Sequence, residues 1–221
     1  MTPALRDLGN EGVTEIPSQF PTTPTKLRAV EPLKEGTSLA DRAHKELEEL
    51  LERTRLHYSR NQGSNLAYRE AFPPACKDLL HTLPGNRNCI DCNVRDPEWA
   101  AISYGALVCI KCSGIHRSLG VAVSQVRSVS MDHWTHKEIV SMLEGGNAQL
   151  GGFFARNALT KEELTKANKK SSTPRQTSIT VDNVTSLRYK TKAALFYKNQ
   201  MEAHVERLLQ KPYRGRSRPE T

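Results

Sequence analysis

Apolar residues recur at helical spacing between residues 38 and 57 (Leu39, Ala43, Leu47, Leu50 and Leu51) among dense charges. This pattern predicts a solvated helix docked loosely on a domain, or a weak coiled coil of two or three heptads. The segment before it, 1–36, holds five of the twelve prolines and a single aromatic, Phe20. It cannot bury enough apolar surface to offset its backbone entropy and reads as a disordered Pro-rich tail. The compact part is expected from near Leu66 to residue 210. Pro73-Pro74 suits a helix start, Leu79, Leu80 and Leu83 give an apolar face, and Pro84-Gly85 ends it. Residues 104–108 read as a short buried strand, and the β-branched run 121–131 as one or two more. Two Thr-x-x-Glu capping boxes, Thr135–Glu138 and Thr160–Glu163, open helices, the first stopped by Gly145-Gly146. Residues 168–185 read as a polar loop and about 186–210 as one last helix, with Ala194, Tyr197, Met201, Val205 and Leu208 on one stripe. Residues 211–221 read as a frayed basic tail. The domain organisation is thus a tail (1–36), a charged amphipathic helix (37–60), a domain (66–210) and a basic tail (211–221).

Composition changes this picture in one respect. The 221 residues carry a net charge of +8, which invites a nucleic-acid reading. The excess is not spread evenly: residues 1–36 net −1, 37–60 net 0, 61–88 net +1, 89–160 net 0, and 161–221 net +8. The middle of the chain is therefore electrically neutral. No apolar run approaches the ~18–20 residues of a membrane span, and the first residues lack the basic and apolar blocks of a secretory signal.

The candidate chemistry lies in that neutral middle. Cys89, Cys92, Cys109 and Cys112 form C-x2-C-x16-C-x2-C. Each pair lets two thiolates from one tight turn reach a single tetrahedral ion, the spacing of a structural zinc site. Paired CxxC spacing without a secretory signal favours zinc over disulfides. Four thiolates would fill the tetrahedron and leave no open position for chemistry. Cys76 falls outside the pattern, on the apolar side of a helix, and reads as a buried spectator thiol. Arg117 lies five residues past Cys112. If the chain turns helical at Ser113, it is anchored beside the metal as a directed charge that can contact a transferring phosphoryl group. On position alone, a surface arginine in an ion pair is the simpler reading.

The residues around the cysteines carry a resemblance. Pro84-Gly85-Asn86, the cysteine spacing followed by x4-Arg117, Pro97-x-Trp99-Ala100, Gly105, CSGIHRSLGV at 112–121, Val126-Arg127-Ser128, Met131-Asp132-x-Trp134 and Gly146-Asn147 together resemble the catalytic domain of GTPase-activating proteins for the small GTPase Arf. The match is dense from Leu83 to Phe154 and weaker through Tyr189–Ala194, which looks like the closing helix of Golgi-type members. The resemblance implies an α+β fold, a small β-sheet with a four-cysteine zinc finger surrounded by helices. It implies an activator of GTP hydrolysis on Arf-type GTPases in vesicle traffic, working in the cytoplasm at Golgi or endosomal membranes. Arg117 matches the trans-acting arginine finger, and Trp99, Ile102 and Asp132 match positions that face or support the GTPase. An exposed Trp99 and Ile102 would give an apolar anchor. The cofactors implied are one structural Zn2+, with GTP and Mg2+ held by the partner GTPase. The basic 161–221 segment is a candidate for an anionic membrane surface.

Ala101, Ser103 and Ala122 depart from the family pattern and remove polar groups near the site. They keep open a second reading, a catalytically weak Arf-binding scaffold. A GATA-like nucleic-acid binder has similar cysteine spacing but needs a basic finger, and 89–160 is neutral; no nucleic-acid partner is expected. His116 invites a general-base reading, but phosphoryl transfer needs charge and water positioning more than a base.

Overall fold

The computed structural model describes residues 37–61, 66–171, 181–211, 213 and 215–216. The Pro-rich tail expected over 1–36 lies outside these residues.

The first element, α1 (Leu39–Arg60), is opened by a reciprocal cap in which the Ser38 hydroxyl accepts from the Asp41 amide (3.1 Å) and the Asp41 carboxylate accepts from the Ser38 amide (3.3 Å). The helix is where the periodicity puts it, but its expected loose docking is corrected. Ala43, Leu47 and Leu50 are fully buried and share a core with Cys76, Leu80 and Ile139. α1 also completes its neighbour. After the strand β1 (Glu70–Ala71), α2 (Pro74–Thr82) starts from Pro73, which has no capping side chain, and Glu46 of α1 accepts from the Cys76 amide instead (3.1 Å). The Cys76 thiol donates to the Ala43 carbonyl (3.3 Å) and is buried, as expected of a spectator. The core therefore begins with α1 and not near Leu66. Replacing Leu47 by Ala should destabilise the fold by ~2–5 kcal/mol, the usual range for an emptied core leucine site. Denaturant unfolding measures it, and a loss within error of zero would return α1 to the role of a loosely attached helix.

A three-stranded antiparallel sheet forms the centre, ordered β3 (Ala106–Val108), β2 (Trp99–Ala101), β4 (Val126–Ser128), with Trp99 opposite both Val108 and Ser128. Side-chain alternation divides the core across it. Ala100 and Leu107 face the cluster of α1, α2 and α4, while Ala101, Ala106 and Val108 face the cysteines and the later helices. The expected strand 104–108 begins only at Ala106, because Ile102–Tyr104 form a single 3-10 turn closed by Gly105 at φ +59°. A Cβ at Gly105 would lie 2.7 Å from the Ser141 carbonyl and 2.9 Å from the Gly145 Cα, so this crossing admits only glycine. Strand structure within 121–131 is likewise limited to 126–128, since Val123 and Ser124 close a turn on Gly120. A second, two-stranded sheet pairs β1 with β5 (His133–Trp134).

Between β3 and β4 runs α3 (Ile110–Ser118). After β5, α4 (His136–Glu144) opens with the expected box between Thr135 and Glu138. Glu138 also receives Arg69 (2.8 Å), Gln125 (2.9 Å) and Arg127 (3.3 Å), which braces α4 to β4 and to the approach of β1. Burial pushes its carboxyl up, but the Thr135 amide and the two guanidiniums outweigh it and hold the group below its ordinary value. α5 (Asn147–Arg156) and α6 (Lys161–Ser171) follow, the latter capped by Thr160 and Glu163 as expected.

The C-terminal part departs from the sequence reading. Residues 168–171 continue α6, and α7 (Val181–Tyr189) already begins inside the expected loop. The expected single helix 186–210 is two, because Thr191 breaks the run and caps α8 (Lys192–Leu209) through the Ala194 amide (3.1 Å). The tail is not wholly frayed: Tyr213 is buried, and its hydroxyl donates to Glu144 (2.8 Å). Among the described residues no helix is long and apolar enough to cross a membrane.

Candidate functional site

Two short pieces of backbone bring the four cysteines together. In the first, the Asn93 amide returns to the Cys89 carbonyl (2.9 Å) and the Cys89 amide donates to Val94 (2.7 Å), with Asn93 in the left-handed region at φ +63°. In the second, Cys109 is the N-cap of α3, and its sulfur accepts from the Cys112 amide (3.4 Å). Helix α3 thus begins at Ile110, three residues before the position considered from sequence. A thiolate can cap it because the first amides of a helix point outward with a partial positive charge.

The four ligand atoms lie within 4.8 Å of one another, with Cys92 and Cys109 sulfurs 3.5 Å apart. A tetrahedron with Zn–S bonds of ~2.3 Å has edges of roughly 3.8 Å, so the cluster is the right size for one ion. The protonation pattern agrees. The hydrogen bond with Cys112 lowers the Cys89 thiol to about 5. Burial pushes Cys92 up to about 11, and the hydrogen bond with Cys89, together with burial, pushes Cys112 upward. Thiols packed this closely cannot all ionise without a cation among them. The donor set fits a metal ion, and among the described residues no further Cys, His or carboxylate joins the four.

Arg117 leaves the last turn of α3 into solvent, and its guanidinium carbon sits 4.5 Å from the centroid of the Trp99 ring. Among the described residues it makes no ion pair. The aromatic face restrains a charge that stays available to a partner. Trp99, half-buried, opens β2 opposite Ser128 of β4, and the Ser128 amide donates to the Asp132 carboxylate (2.6 Å). Arg117, Trp99 and Asp132 are therefore linked through one end of the sheet, where β2 starts and β4 finishes, with Asp132 holding the turn after β4. Ile102 is not an exposed anchor. It is 5% exposed and lines a cavity of about 310 Å³ with Val121, Gln125, Lys198 and Met201. The exposed apolar groups of these segments are ones the sequence did not mark as anchors: Ile110 at the start of α3, Val121 just after it, and Met131 at the tip of the turn. No periodicity marks them, because each stands alone on a turn or a helix end.

His116 is wholly buried, with one ring nitrogen 3.0 Å from Asp91 and the other 2.8 Å from the Ser124 hydroxyl. Both nitrogens are engaged away from solvent, so it has no place as a general base. Of the departures, Ala101 is buried in the sheet and Ser103 accepts from the Gln125 amide (3.1 Å). Ala122 is exposed and its carbonyl accepts from Lys198. Asn147, the end of one sequence motif, binds both the amide (2.7 Å) and carbonyl (2.9 Å) of Leu107 and the carbonyl of Asn88 (2.6 Å), tying β3 to the first cysteine loop.

The family model described as "Putative GTPase activating protein for Arf" matches residues 74–196. The "Probable ADP-ribosylation factor GTPase-activating protein AGD13" of Arabidopsis thaliana is 47% identical over 79 residues, 35% of this chain and 23% of its own length. The "ADP-ribosylation factor GTPase-activating protein 3" of Rattus norvegicus is 43% identical over 93 residues, 41% of this chain and 18% of its own. The matched stretch thus spans about a fifth of the length of these relatives. Among solved structures, "Crystal structure of putative GTPase activating protein for ADP ribosylation factor from Cryptosporidium parvum" is similar over 59% of this chain and 88% of that one, at 25% identity and a TM-score of 0.45. With the family model covering more than half of its residues, the cysteine cluster and Arg117 included, the chain belongs to the Arf GTPase-activating protein family.

Proposed function

We propose that the chain accelerates GTP hydrolysis on an Arf-family small GTPase by supplying Arg117 in trans. The observation that carries this reading is the arginine itself: exposed, free of an ion-pair partner among the described residues, and set against Trp99 one helical turn beyond the cysteine cluster. A GTPase that holds GTP and Mg2+ lacks only a directed positive charge as negative charge spreads over the transferring phosphoryl oxygens, and such a group adds ~10³–10⁵ in rate. The exposed Ile110 at the start of α3, Val121 just after it and Met131 at the turn fixed by Asp132 would offer the GTPase apolar contact, and Trp99 backs the arginine.

Cys89, Cys92, Cys109 and Cys112 would hold one zinc ion, and their all-sulfur set is the chemistry that favours zinc. Zinc in a closed four-thiolate site supplies structure and no reactive position. The chain's own contribution to the reaction is therefore electrostatic, with no protonation step in which His116 takes part.

The positive excess of 161–221 is the ground for placing the chain at an anionic membrane surface, the Golgi or endosomal membranes that would carry the GTPase. One experiment tests both parts. Single-turnover GTP hydrolysis by a panel of Arf GTPases is measured with and without the chain, on neutral and on anionic liposomes. An acceleration of ~10³–10⁵-fold is expected, larger on anionic vesicles. Binding to GTP-loaded Arf without acceleration would establish the scaffold reading instead.

A further inference from the structure

Among the described residues, away from the surface that carries Arg117, a buried polar cluster is centred on Asp91. This residue lies between the ligands Cys89 and Cys92, and its carboxylate is fully shielded from solvent. It accepts three hydrogen bonds from two helices: His116 Nε2 of α3 (3.0 Å), and Arg188 Nη1 (3.2 Å) and the Tyr189 hydroxyl (3.2 Å) of α7. Arg188 also donates through Nε to the Leu159 carbonyl (2.8 Å) and lies over the Phe154 ring at 4.8 Å. The Tyr189 ring meets that of His116 edge-on, centroids 4.4 Å apart. A buried carboxylate is costly unless its lone pairs are met, and here they are met by donors that converge from separate elements.

The connectivity Ser124–His116–Asp91 is that of a nucleophilic triad. It does not serve as one. Ser124 is 2% exposed, His116 is wholly buried, and the carboxylate already carries a guanidinium and a phenol, so no substrate reaches the hydroxyl. With Nε2–H donated to Asp91, Nδ1 accepts from Ser124, which fixes the ring and its tautomer.

The consequence lies one residue further on. Successive residues of a helix are about 100° apart around its axis, so pinning His116 inward sets the direction in which Arg117 leaves. The first turn of α3 is held by Cys109 and Cys112 and its last turn by the Asp91 cluster. Two fixed points define both the axis and the rotation of this nine-residue helix; one would not.

We propose that Arg188 and Tyr189 are positioning residues: through Asp91 and His116 they hold α3 in the rotation that lays Arg117 on Trp99 and aims it at the GTPase. This rests on the reading of Arg117 as the trans-acting arginine. A reacting group displaced by about 1 Å costs on the order of 10²-fold in rate, and residues that orient a site from behind cost ~10–100-fold when removed.

The test uses the full chain and three variants: Arg188→Met, Arg188→Lys and Tyr189→Phe. Arg188→Met should lower the saturating single-turnover rate ~10–100-fold, with the concentration for half-saturation by the GTPase within about twofold of wild type. Arg188→Lys should restore most of the rate, and Tyr189→Phe, which removes one hydroxyl, should show the smallest loss. The second readout needs no activity. The Arg117 Nε–Hε signal in the NMR spectrum is displaced by the Trp99 ring current in the wild-type protein and should move toward its unstacked position in Arg188→Met. A wild-type rate in Arg188→Met, a lost rate with the Arg117 signal unmoved, or loss of bound zinc in Tyr189→Phe would each overturn the proposal. If the wild-type chain accelerates no Arf GTPase, the functional reading fails by itself, and the Arg117 signal still decides whether Arg188 sets the arginine's direction.

Discussion

Arg117→Lys is expected to reduce single-turnover GTP hydrolysis on Arf by at least 10³-fold while bound zinc and thermal stability stay at wild-type values. The magnitude follows from the role. An arginine supplied in trans is worth ~10³–10⁵ in rate, roughly 4–7 kcal/mol of transition-state stabilisation at 1.36 kcal/mol per decade. Lysine keeps the positive charge but loses the planar fork that can touch two phosphoryl oxygens at once, and its compact ammonium holds water more tightly. Folding should not suffer, because Arg117 is exposed and its one described side-chain contact is the face of Trp99. An exposed contact of that kind contributes about 0.5–1 kcal/mol, a small part of a domain's stability. A variant that keeps the full rate would remove Arg117 from the mechanism and leave the chain as a GTPase-binding surface.

Removal of the metal has the other large effect. Chelation, or Cys112→Ser, should abolish cooperative unfolding and strip much of the helical circular dichroism signal. Binding of structural zinc is worth ~10–16 kcal/mol at neutral pH, which matches or exceeds the ~5–15 kcal/mol by which a domain is stable at all. The cluster is not peripheral. Cys89, Cys109 and Cys112 are buried in the same core as Tyr104, Leu150, Tyr189 and Met201, and the Cys109 sulfur opens α3. Without an ion the crowded sulfurs cannot all ionise together and are expected to separate, and the start of that helix goes with them. A metal-free protein with an unchanged spectrum and melting temperature would show that the packed core suffices without it.

The features legible in the sequence are those whose cause is local. The boxes at Thr135–Glu138 and Thr160–Glu163, the Pro73-Pro74 start and the CxxC pairs each fix their own geometry within a few residues, and each is found where expected. The strands were harder to see. Trp99–Ala101 spans three residues, too few for alternation to stand out, and it exists because two other strands pair with it. Helix α5 hides behind Gly151 and Gly152, both poor helix formers. The register of α1 was visible, but its burial was not, since a stripe of three residues becomes core only through what it meets. At the site, Arg117 and the cysteines could be read from spacing, and the family resemblance placed Trp99 and Asp132. The Asp91 cluster could not be read, because its members are 25 and 97 residues apart and nothing in one segment announces the other.

The docking of α1 bears on solubility. The stretch that matches the family, 74–196, contains neither α1 nor the second half of α8, yet Ala43, Leu47, Leu50 and Val205 complete the cluster beneath α2 and α4. A fragment trimmed to the matched stretch would keep every cysteine and Arg117 and still open a trough lined by Leu80, Ile139 and Leu143 to water. Such a trough invites self-association. The face that carries Arg117 and the cysteines is portable only together with a helix that packs in the other core cluster, across the sheet.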